Sequence, residues 1–188
     1  ALAYYDHRRE TRLYTDASRL NGLGFVLKQK QDDGYWKTVQ AGSRFLSSAE
    51  ERYAMVELEL LAIAWACKKA AAYVEGIQFT IVTDHRPLIP ILKNYSLAEI
   101  ENKRLQRLRM KIDHLTYDCE WIKGSDNKEA DALSRSPCSR PEPEDELDEP
   151  TEIFWIAANV LEIEVNAVFG SQHYDEAIDS AIEQVDPS

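Results

Sequence analysis

The sequence predicts a mixed α/β domain in which helices cover both faces of one sheet. Three observations lead to this fold class: three strands joined by tight turns come first, a long apolar helix follows, and a strand–helix–strand–helix order completes the pattern. Such an order places parallel and antiparallel strands in one sheet, with helices as crossovers. We expect the ends of the fourth and fifth strands to lie near the first strand.

The first three strands follow one another within the first 46 residues. "TRLYTDA" (11–17) and "GLGFVLKQK" (22–30) flank the dipeptide Asn21-Gly22, which is a strong signal for a two-stranded hairpin. "DDGYW" marks a second turn, and "WKTVQAGSRFL" (36–46) is the third strand. These segments predict a three-stranded antiparallel meander.

The hydrophobic period then changes to that of a helix. Ser47 or Ser48 can cap a helix that runs to about Val74. From Leu58 to Ala72 this helix is apolar on nearly every side, apart from two lysines. A helix without a polar face is typical of a buried position, so we expect it to lie in the core.

The remaining elements of the domain are shorter. They are a fourth strand in "QFTIVTDH" (78–85), a short helix in "RPLIPIL" (86–92), a second long helix at 97–116, a fifth strand in "YDCEWIKG" (117–124) and a last helix in "NKEADALSR" (127–135) capped by Asp126 or Asn127.

The composition changes after Ser136. Residues 137–152 are rich in proline and acid, which predicts a disordered linker. The acidic segment 153–188 contains one apolar stretch, 153–169, that fits a strand or a helix, and then a short amphipathic helix. We therefore expect a domain over 1–136, a linker and a separate C-terminal segment.

The net charge of −11 belongs to this C-terminal part. Residues 1–136 carry 21 Lys and Arg against 19 Asp and Glu, whereas residues 137–188 carry one arginine against 14 acids. The acidity of the whole chain therefore does not argue against a nucleic-acid partner for the first domain.

Other function classes are disfavoured by simple absences. The sequence has no run of 18 apolar residues and no basic-then-apolar leader, so we expect neither a membrane span nor secretion. Its three cysteines, Cys67, Cys119 and Cys138, are scattered, which fits a reducing compartment better than a disulfide framework or a zinc site. The chain begins at Ala1 rather than Met, so we expect a piece of a longer protein.

Acidic residues stand at the ends of predicted elements. Asp16 ends the first strand, Asp84 ends the fourth, Asp131 lies in the last helix, and Glu57 and Glu59 lie in the first long helix. A single aspartate at a strand end is usually a turn residue. Several acids that converge at one sheet edge repel each other unless a divalent cation neutralises them. Two Mg²⁺ ions about 3.5–4 Å apart can activate water and stabilise the leaving oxygen of a phosphodiester.

Four segments carry a specific resemblance. "LYTDAS…GLGFVL", "SRFLSSAEERYAMVELELLAIAWACKK", "FTIVTDHRPL" and "WIKGSDNKEADALSR" closely resemble the ribonuclease H domain of gypsy-type LTR retrotransposon reverse transcriptases. The resemblance covers about residues 4–136 with the motifs in unbroken order. It implies a ribonuclease H-like fold, with a five-stranded mixed sheet in the order 3-2-1-4-5.

The resemblance also implies an activity and its cofactors. The enzyme would be an endoribonuclease that cuts the RNA strand of RNA–DNA hybrids, and four acids would bind two Mg²⁺ ions, with Mn²⁺ as a substitute. These acids fall on Asp16, Glu59, Asp84 and Asp131.

The same resemblance implies a cellular context. A polymerase domain of the same polyprotein would be a partner, and the segment 153–188 would be a tether toward an integrase or a lineage-specific interaction segment. The implied location is the cytoplasm, in the virus-like particle of the element, or the nucleus. The oligomeric state stays open.

Glu57 competes with Glu59 as the metal-binding acid of the first long helix. Periodicity does not choose between them, because the helix is apolar on both sides. The family motif Glu-Leu-x-Ala-Ile-x-x-Ala fits the eight residues from Glu59 to Ala66, so the resemblance selects Glu59.

The family pattern is incomplete in one loop. Many ribonucleases H have a mobile histidine before the last helix, but "WIKGSDN" has none, so we expect a slower enzyme. Gypsy-type relatives commonly lack this histidine too. His85 follows Asp84 and is more typical of a strand-end residue bonded to backbone than of a catalytic group.

A basic cluster is the candidate nucleic-acid surface. Its members are Lys103, Arg104, Arg107, Arg109 and Lys111 on the second long helix. Phosphate contacts require only charge and reach, although such a face is also common as a solvated surface. Ser18 and Gly22–Gly24, which lie close to Asp16, are candidates for a close approach of the backbone to the RNA strand.

Two rival functions use the same fold. Asp84 and Glu120 are separated by 35 residues, as in integrases and transposases, but Glu120 lies in a predicted strand, where an integrase has a helix. A non-catalytic binding module is the other rival. The presence of all four acids argues against it.

Overall fold

The computed structural model describes residues 4–142 and 145, which all belong to one compact unit. Its strands are β1 Thr11–Ala17, β2 Gly22–Lys30, β3 Trp36–Phe45, β4 Gln78–Thr83 and β5 Thr116–Trp121. Its helices are α1 Met55–Lys69, α2 Ala71–Val74, α3 Leu88–Lys93, α4 Lys103–Met110 and α5 Lys128–Arg135, and short 3-10 turns lie at Glu50–Arg52, Leu97–Glu99 and Gly124–Asp126.

The five strands form one mixed sheet in the order β3-β2-β1-β4-β5. The meander β1–β2–β3 is antiparallel, and β4 lies parallel to both β1 and β5. The predicted fold class and strand order are therefore confirmed. The parallel pairing brings the carboxyl ends of β1 and β4 to the same edge of the sheet, because Tyr14 pairs with Val82.

Helices cover both faces of this sheet. The Phe25 ring of β2 packs edge-on against Trp65 of α1, with ring centroids 5.3 Å apart. The next residue toward the start of the strand, Gly24, faces α5, since a Cβ built there would lie 2.5 Å from the backbone nitrogen of Ser134. Neighbouring residues of a strand point to opposite faces, so α1 and α5 lie on opposite sides.

Helix α1 is the centre of the hydrophobic core. Every residue from Glu57 to Cys67 is buried, because the helix contacts β1 and β2 on one side and α3 and α4 on another. This double contact explains why the sequence is apolar on nearly all sides of the helix. It also buries the two glutamates that the sequence places in its first turns.

The start of α1 differs from the prediction. The Ser47 hydroxyl accepts a hydrogen bond from the Glu50 amide at 3.4 Å, but the element that follows is only a 3-10 turn whose N-cap is Ala49. Tyr53 and Ala54 are extended, and α1 begins at Met55, where the Glu57 carboxylate accepts the Ala54 amide at 2.8 Å.

The second long helix is also shorter than predicted. The segment 97–116 divides because Ile100 is extended after a 3-10 turn. The Asn102 side chain then caps α4 by accepting the amides of Arg104 and Leu105. Leu105 and Leu108 still face the core, as the apolar stripe predicts.

Described residues beyond Ser136 contact the domain. Phe45 of β3 donates its amide to the Ser139 carbonyl at 2.9 Å. The Asp145 carboxylate is buried and accepts from Trp65 Nε1 at 3.0 Å, and it pairs with Lys69 Nζ at 3.0 Å. The boundary at 136 and the linker over 137–152 stay predictions, and the predicted segment 153–188 lies outside the described residues. No helix among the described residues has the length and apolar character needed to cross a membrane.

Candidate metal centre

Three of the predicted acids meet at one edge of the sheet. Asp16 lies near the end of β1, Asp84 directly follows β4, and Glu59 projects from α1. Each offers a carboxylate oxygen, and these three atoms all lie within 4.8 Å of one another. The parallel pairing of β1 with β4 creates this convergence, and the packing of α1 against β1 adds the glutamate.

Burial makes this cluster electrostatically costly. Asp16 and Glu59 are only 6% and 4% exposed, and Asp84 is half-buried. Burial, together with the nearby carboxylates of Asp16 and Asp84, raises the pKa of Glu59 to about 9. Burial also raises the pKa of Asp16 and of Asp84 above their ordinary values. Without a neutralising cation, the three groups therefore resist simultaneous ionisation.

The cluster has the properties of a site for a hard cation. All three donors are carboxylate oxygens, the ligands preferred by Mg²⁺ and Ca²⁺. The Glu59 Oε2 atom is buried and has no hydrogen-bond partner among the described residues. An orphaned buried acceptor is costly unless a cation or a proton satisfies it. The donor set and the orphaned oxygen thus both fit a divalent metal ion.

Asp131 lies at the rim of this centre. It raises the pKa of both Asp16 and Asp84 by its charge, so it is close enough to interact electrostatically. It is not among the three residues whose oxygens lie within 4.8 Å of one another. Its Oδ1 atom instead lies 2.7 Å from both Nε and Nη2 of Arg135, one turn further along α5.

The structure separates the two competing glutamates. The Glu57 side chain points away from the acidic cluster and accepts hydrogen bonds from Ala54, Asn102 and Arg104. Its interactions lower its pKa even though burial opposes this. Glu57 therefore links the starts of α1 and α4, while Glu59 belongs to the cluster.

Glu120, which has the integrase-type spacing from Asp84, also lies outside the acidic cluster. Glu120 lies on β5, and its Oε2 atom pairs with Arg12 Nη1 at 3.2 Å. It is not part of the acidic cluster. This placement agrees with the strand predicted for it and gives no support to an integrase-type site.

His85 is half-buried beside the cluster. Its backbone amide donates to the Thr83 hydroxyl at 3.1 Å. Burial lowers its pKa below the ordinary value, and the Asp84 carboxylate opposes this effect. The backbone contact agrees with the interpretation of His85 as a strand-end residue.

Three features of the site involve residues that are not among the predicted site residues. Gly124, in the turn before α5, lies so close to Asp84 that a Cβ there would be 2.8 Å from Oδ2. The Ser134 hydroxyl on α5 is buried and hydrogen-bonds Asp16 Oδ2. The buried Asn127 side chain donates to the Thr15 carbonyl at 2.9 Å. Only the glycine could have been suspected, because a glycine in a loop often permits a close approach.

The members of the basic cluster, on α4 and the turn after it, differ in their contacts and in their exposure. Arg104 packs 3.9 Å from the centroid of the Tyr53 ring and pairs with Glu57, so part of its role is structural. Arg109 pairs with Asp113 at 2.7 Å. Lys103 is exposed, and Arg107 and Lys111 are half-buried.

The predicted contacts near Asp16 have local structural roles. The Ser18 amide donates to the Gly22 carbonyl at 2.7 Å and closes the turn between β1 and β2. Gly22 is buried, and a Cβ there would meet the Arg44 carbonyl oxygen at 2.1 Å. Close packing between β2 and β3 is therefore sufficient to explain this glycine.

The sequence is similar to parts of long transposon polyproteins. It is 37% identical over 134 residues to the Retrovirus-related Pol polyprotein from transposon 412 of Drosophila melanogaster. It is 38% identical over 136 residues to the Transposon Tf2-3 polyprotein of Schizosaccharomyces pombe. Each match covers 71% of this chain and 10% of the relative. The chain thus spans about a tenth of the length of these curated relatives.

Solved structures show the same fold at low sequence identity. The crystal structure of RNase H1 from Halobacterium salinarum NRC-1 has a TM-score of 0.51 and 21% identity, and the match covers 66% of this chain and 93% of that one. LC11-RNase H1 in complex with an RNA/DNA hybrid has a TM-score of 0.54 and 15% identity, covering 68% and 96%.

The family assignment rests on the sequence. A family model described as the RNase H-like domain found in reverse transcriptase matches residues 6–115, more than half of the chain. With the retrotransposon relatives, this match confirms the resemblance inferred from the motifs. The chain therefore belongs to the family of RNase H-like domains found in reverse transcriptases.

Proposed function

We propose that this domain is an endoribonuclease that hydrolyses the RNA strand of RNA–DNA hybrids. The observation that carries the proposal is the convergence of Asp16, Glu59 and Asp84, with a buried Glu59 oxygen that lacks a partner. Membership of the reverse transcriptase RNase H-like family supports the choice of substrate. The fold is also that of an RNase H1 whose structure was solved with an RNA/DNA hybrid.

The proposed cofactor is Mg²⁺, with Mn²⁺ as a substitute, and two ions are proposed. Asp16 and Asp84 would be the central ligands, with Glu59 completing one site and Asp131 the other. When bound, the ions would supply a water nucleophile at neutral pH and would stabilise the charge on the leaving oxygen. The buried carboxylates contribute negative charge in a water-poor setting, where their attraction for a cation is strong.

The chain's own residues would prepare this site. Asp131 now pairs with Arg135, so binding an ion there would compete with that ion pair. Gly124 leaves space beside Asp84 at the turn that precedes α5. Phosphates of the hybrid would be contacted by the basic cluster, of which Arg104 also pairs with Glu57.

The proposed setting is a retrotransposon polyprotein. A polymerase domain in the same polyprotein would be the partner that delivers the hybrid, and hybrid affinity of this domain alone would be low. The proposed location is the virus-like particle in the cytoplasm, or the nucleus. Similarity to long transposon polyproteins supports this setting.

Cleavage of a labelled hybrid by the full chain tests the proposal. In Mg²⁺ the protein should cut the RNA strand, leaving 3′-hydroxyl and 5′-phosphate ends, and should leave the matching DNA duplex intact. Asp84→Asn should reduce the rate by more than about 100-fold, since loss of even an outer partner of a metal site costs about 10–100-fold. Asp118→Asn is the control, because Asp118 is exposed on β5 and pairs with Lys93 at 2.6 Å.

The alternative function predicts a different result. A catalytically inactive nucleic-acid-binding module would bind the hybrid without cutting it above the level of Asp84→Asn. That result would contradict the nuclease proposal and support the binding function.

A further inference from the structure

Helix α5 approaches the sheet unusually closely. A Cβ built on Gly24 of β2 would lie 2.5 Å from the Ser134 nitrogen and 2.6 Å from the Ala130 carbonyl oxygen. Both are backbone atoms that cannot move aside without moving the helix. Only a glycine therefore allows this contact, which brings the last turn of α5 next to Asp16, the residue paired with Gly24 on β1.

Two buried polar contacts fix α5 across β1. Near its start, Asn127 donates its side-chain amide to the Thr15 carbonyl at 2.9 Å. In its last turn, the fully buried Ser134 places its hydroxyl against Asp16 Oδ2. The Asn127 contact is to a backbone carbonyl, whereas the Ser134 contact is to the carboxylate of a proposed metal ligand.

The Ser134 hydroxyl has a single proton and two acceptors nearby. Its Oγ atom also lies 3.0 Å from the Asp131 carbonyl oxygen, as is common for a serine within a helix. An ionised carboxylate is the stronger acceptor, because charge-assisted hydrogen bonds are shorter and stronger than neutral ones. The proton is therefore directed to Asp16.

We propose that Ser134 is a positioning residue that holds one carboxylate oxygen of Asp16 and fixes the orientation of this group for metal binding. The inference rests on the proposed function. Asp84 and Asp131 repel an ionised Asp16, and without Ser134 that repulsion would turn the Asp16 side chain away from the cluster. A metal ion would then have to reorient Asp16 before binding, which lowers the affinity.

Metal binding by the Ser134→Ala variant tests this role. Mn²⁺ binding to the full chain is measured by calorimetry without nucleic acid, and the thermal unfolding midpoint of each variant is measured in parallel. The Mn²⁺ dissociation constant should rise about tenfold, the value of one hydrogen bond to a charged group. In hybrid cleavage, the Mg²⁺ concentration for half-maximal rate should rise similarly, while the rate at saturating Mg²⁺ changes much less.

Ser43→Ala is the matched control. Ser43 is also a buried serine, and it lies in the same row of the sheet as Asp16, two strands away on β3. Its hydroxyl accepts the Cys138 amide at 3.2 Å rather than contacting an acid of the cluster. This variant should lose some stability but keep its Mn²⁺ affinity.

The outcomes separate the inference from the proposed function. If the unaltered protein binds Mn²⁺ and Ser134→Ala binds it equally well, Ser134 does not position Asp16, and the metal site stands. If Ser43→Ala weakens Mn²⁺ binding as much as Ser134→Ala does, the effect is general destabilisation and the inference is wrong. If the unaltered protein binds no Mn²⁺, the metal site and the inference both fail.

Discussion

Arg104 Nη1 lies 3.1 Å from each of the two carboxylate oxygens of Glu57. This ion pair connects the start of α1 to the start of α4, and it gives Glu57 a charge partner that Glu59, two residues later, does not share. The two glutamates are therefore expected to respond differently to the same substitution.

Glu57→Gln should lower stability and spare the chemistry, whereas Glu59→Gln should do the opposite. Loss of the Glu57 charge is expected to lower the free energy of unfolding by about 1–3 kcal/mol, since a hydrogen-bonded charge is replaced by an amide. Urea denaturation and hybrid cleavage measured on both variants check this. A folded Glu57→Gln protein without cleavage, or a fully active Glu59→Gln protein, would contradict the assignment.

The metal-free protein should lose stability as the pH rises. Burial and neighbouring acids raise the pKa of Glu59 from 4.5 to about 9. Between these values the folded state holds a proton that the unfolded state has released, so the free energy of unfolding falls with increasing pH. Asp16 and Asp84 act in the same direction, because their pKa values are also raised.

Glu59→Gln should flatten this profile. Because the amide does not titrate, the variant should be more stable than the unaltered protein near pH 8 by at least about 1 kcal/mol, the value of one unit of pKa difference between folded and unfolded states. Thermal unfolding in a chelator across the pH range measures the difference. Mg²⁺ should stabilise the unaltered protein at high pH but not the variant. Parallel pH profiles of the two proteins would refute this view.

The buried ion pair between Arg44 and Glu50 should be important for folding. Both terminal nitrogens of Arg44 donate to Glu50 oxygens at 2.7 Å, and the arginine side chain is fully buried. Glu50→Ala would leave a buried guanidinium without its counter-charge and should cost about 3–5 kcal/mol of unfolding free energy. Glu51→Ala, at an exposed neighbour, should cost little. Equal effects of the two substitutions in urea denaturation would show that the pair is unimportant.

If the basic cluster contacts phosphates, it should contribute to the salt dependence of hybrid binding. In an Asp84→Asn background, which prevents cleavage, Lys103→Gln and Arg107→Gln should each reduce the slope of log affinity against log salt by about one. Lys37→Gln is the control, because Lys37 lies outside the cluster on β3, where it is exposed and pairs with Asp33 at 3.3 Å. Fluorescence anisotropy over a salt series measures the slopes, and identical slopes for all three variants would remove this surface from the binding site.

The sequence was sufficient for the fold because each strand and helix has a local signal. Alternating strands and the Asn21-Gly22 turn predict the meander, and the position of Asp84 at a strand end predicts its approach to Asp16. The break at Ile100 was missed because the apolar stripe continues through it, and only the Asn102 cap restarts the helix.

The contacts that complete the site join residues that are far apart in the sequence. Ser134 and Asp16 are separated by 118 residues, and Asn127 and Thr15 by 112. Periodicity describes one element at a time, so it cannot predict which buried side chain meets a residue on a distant strand. The choice between Glu57 and Glu59 likewise needs the family motif, because the sequence does not show that Arg104 contacts Glu57.

The hydrogen bond from Phe45 to Ser139 has a consequence for solubility. β3 is an outer strand of the sheet, and outer strands present unpaired amides and carbonyls to which another chain can add. Ser139 occupies part of this edge, and the Asp145 contact with Trp65 holds the same segment down. A protein shortened to residue 136 would uncover that edge, so its tendency to self-associate should rise even where its acidic cluster is unchanged.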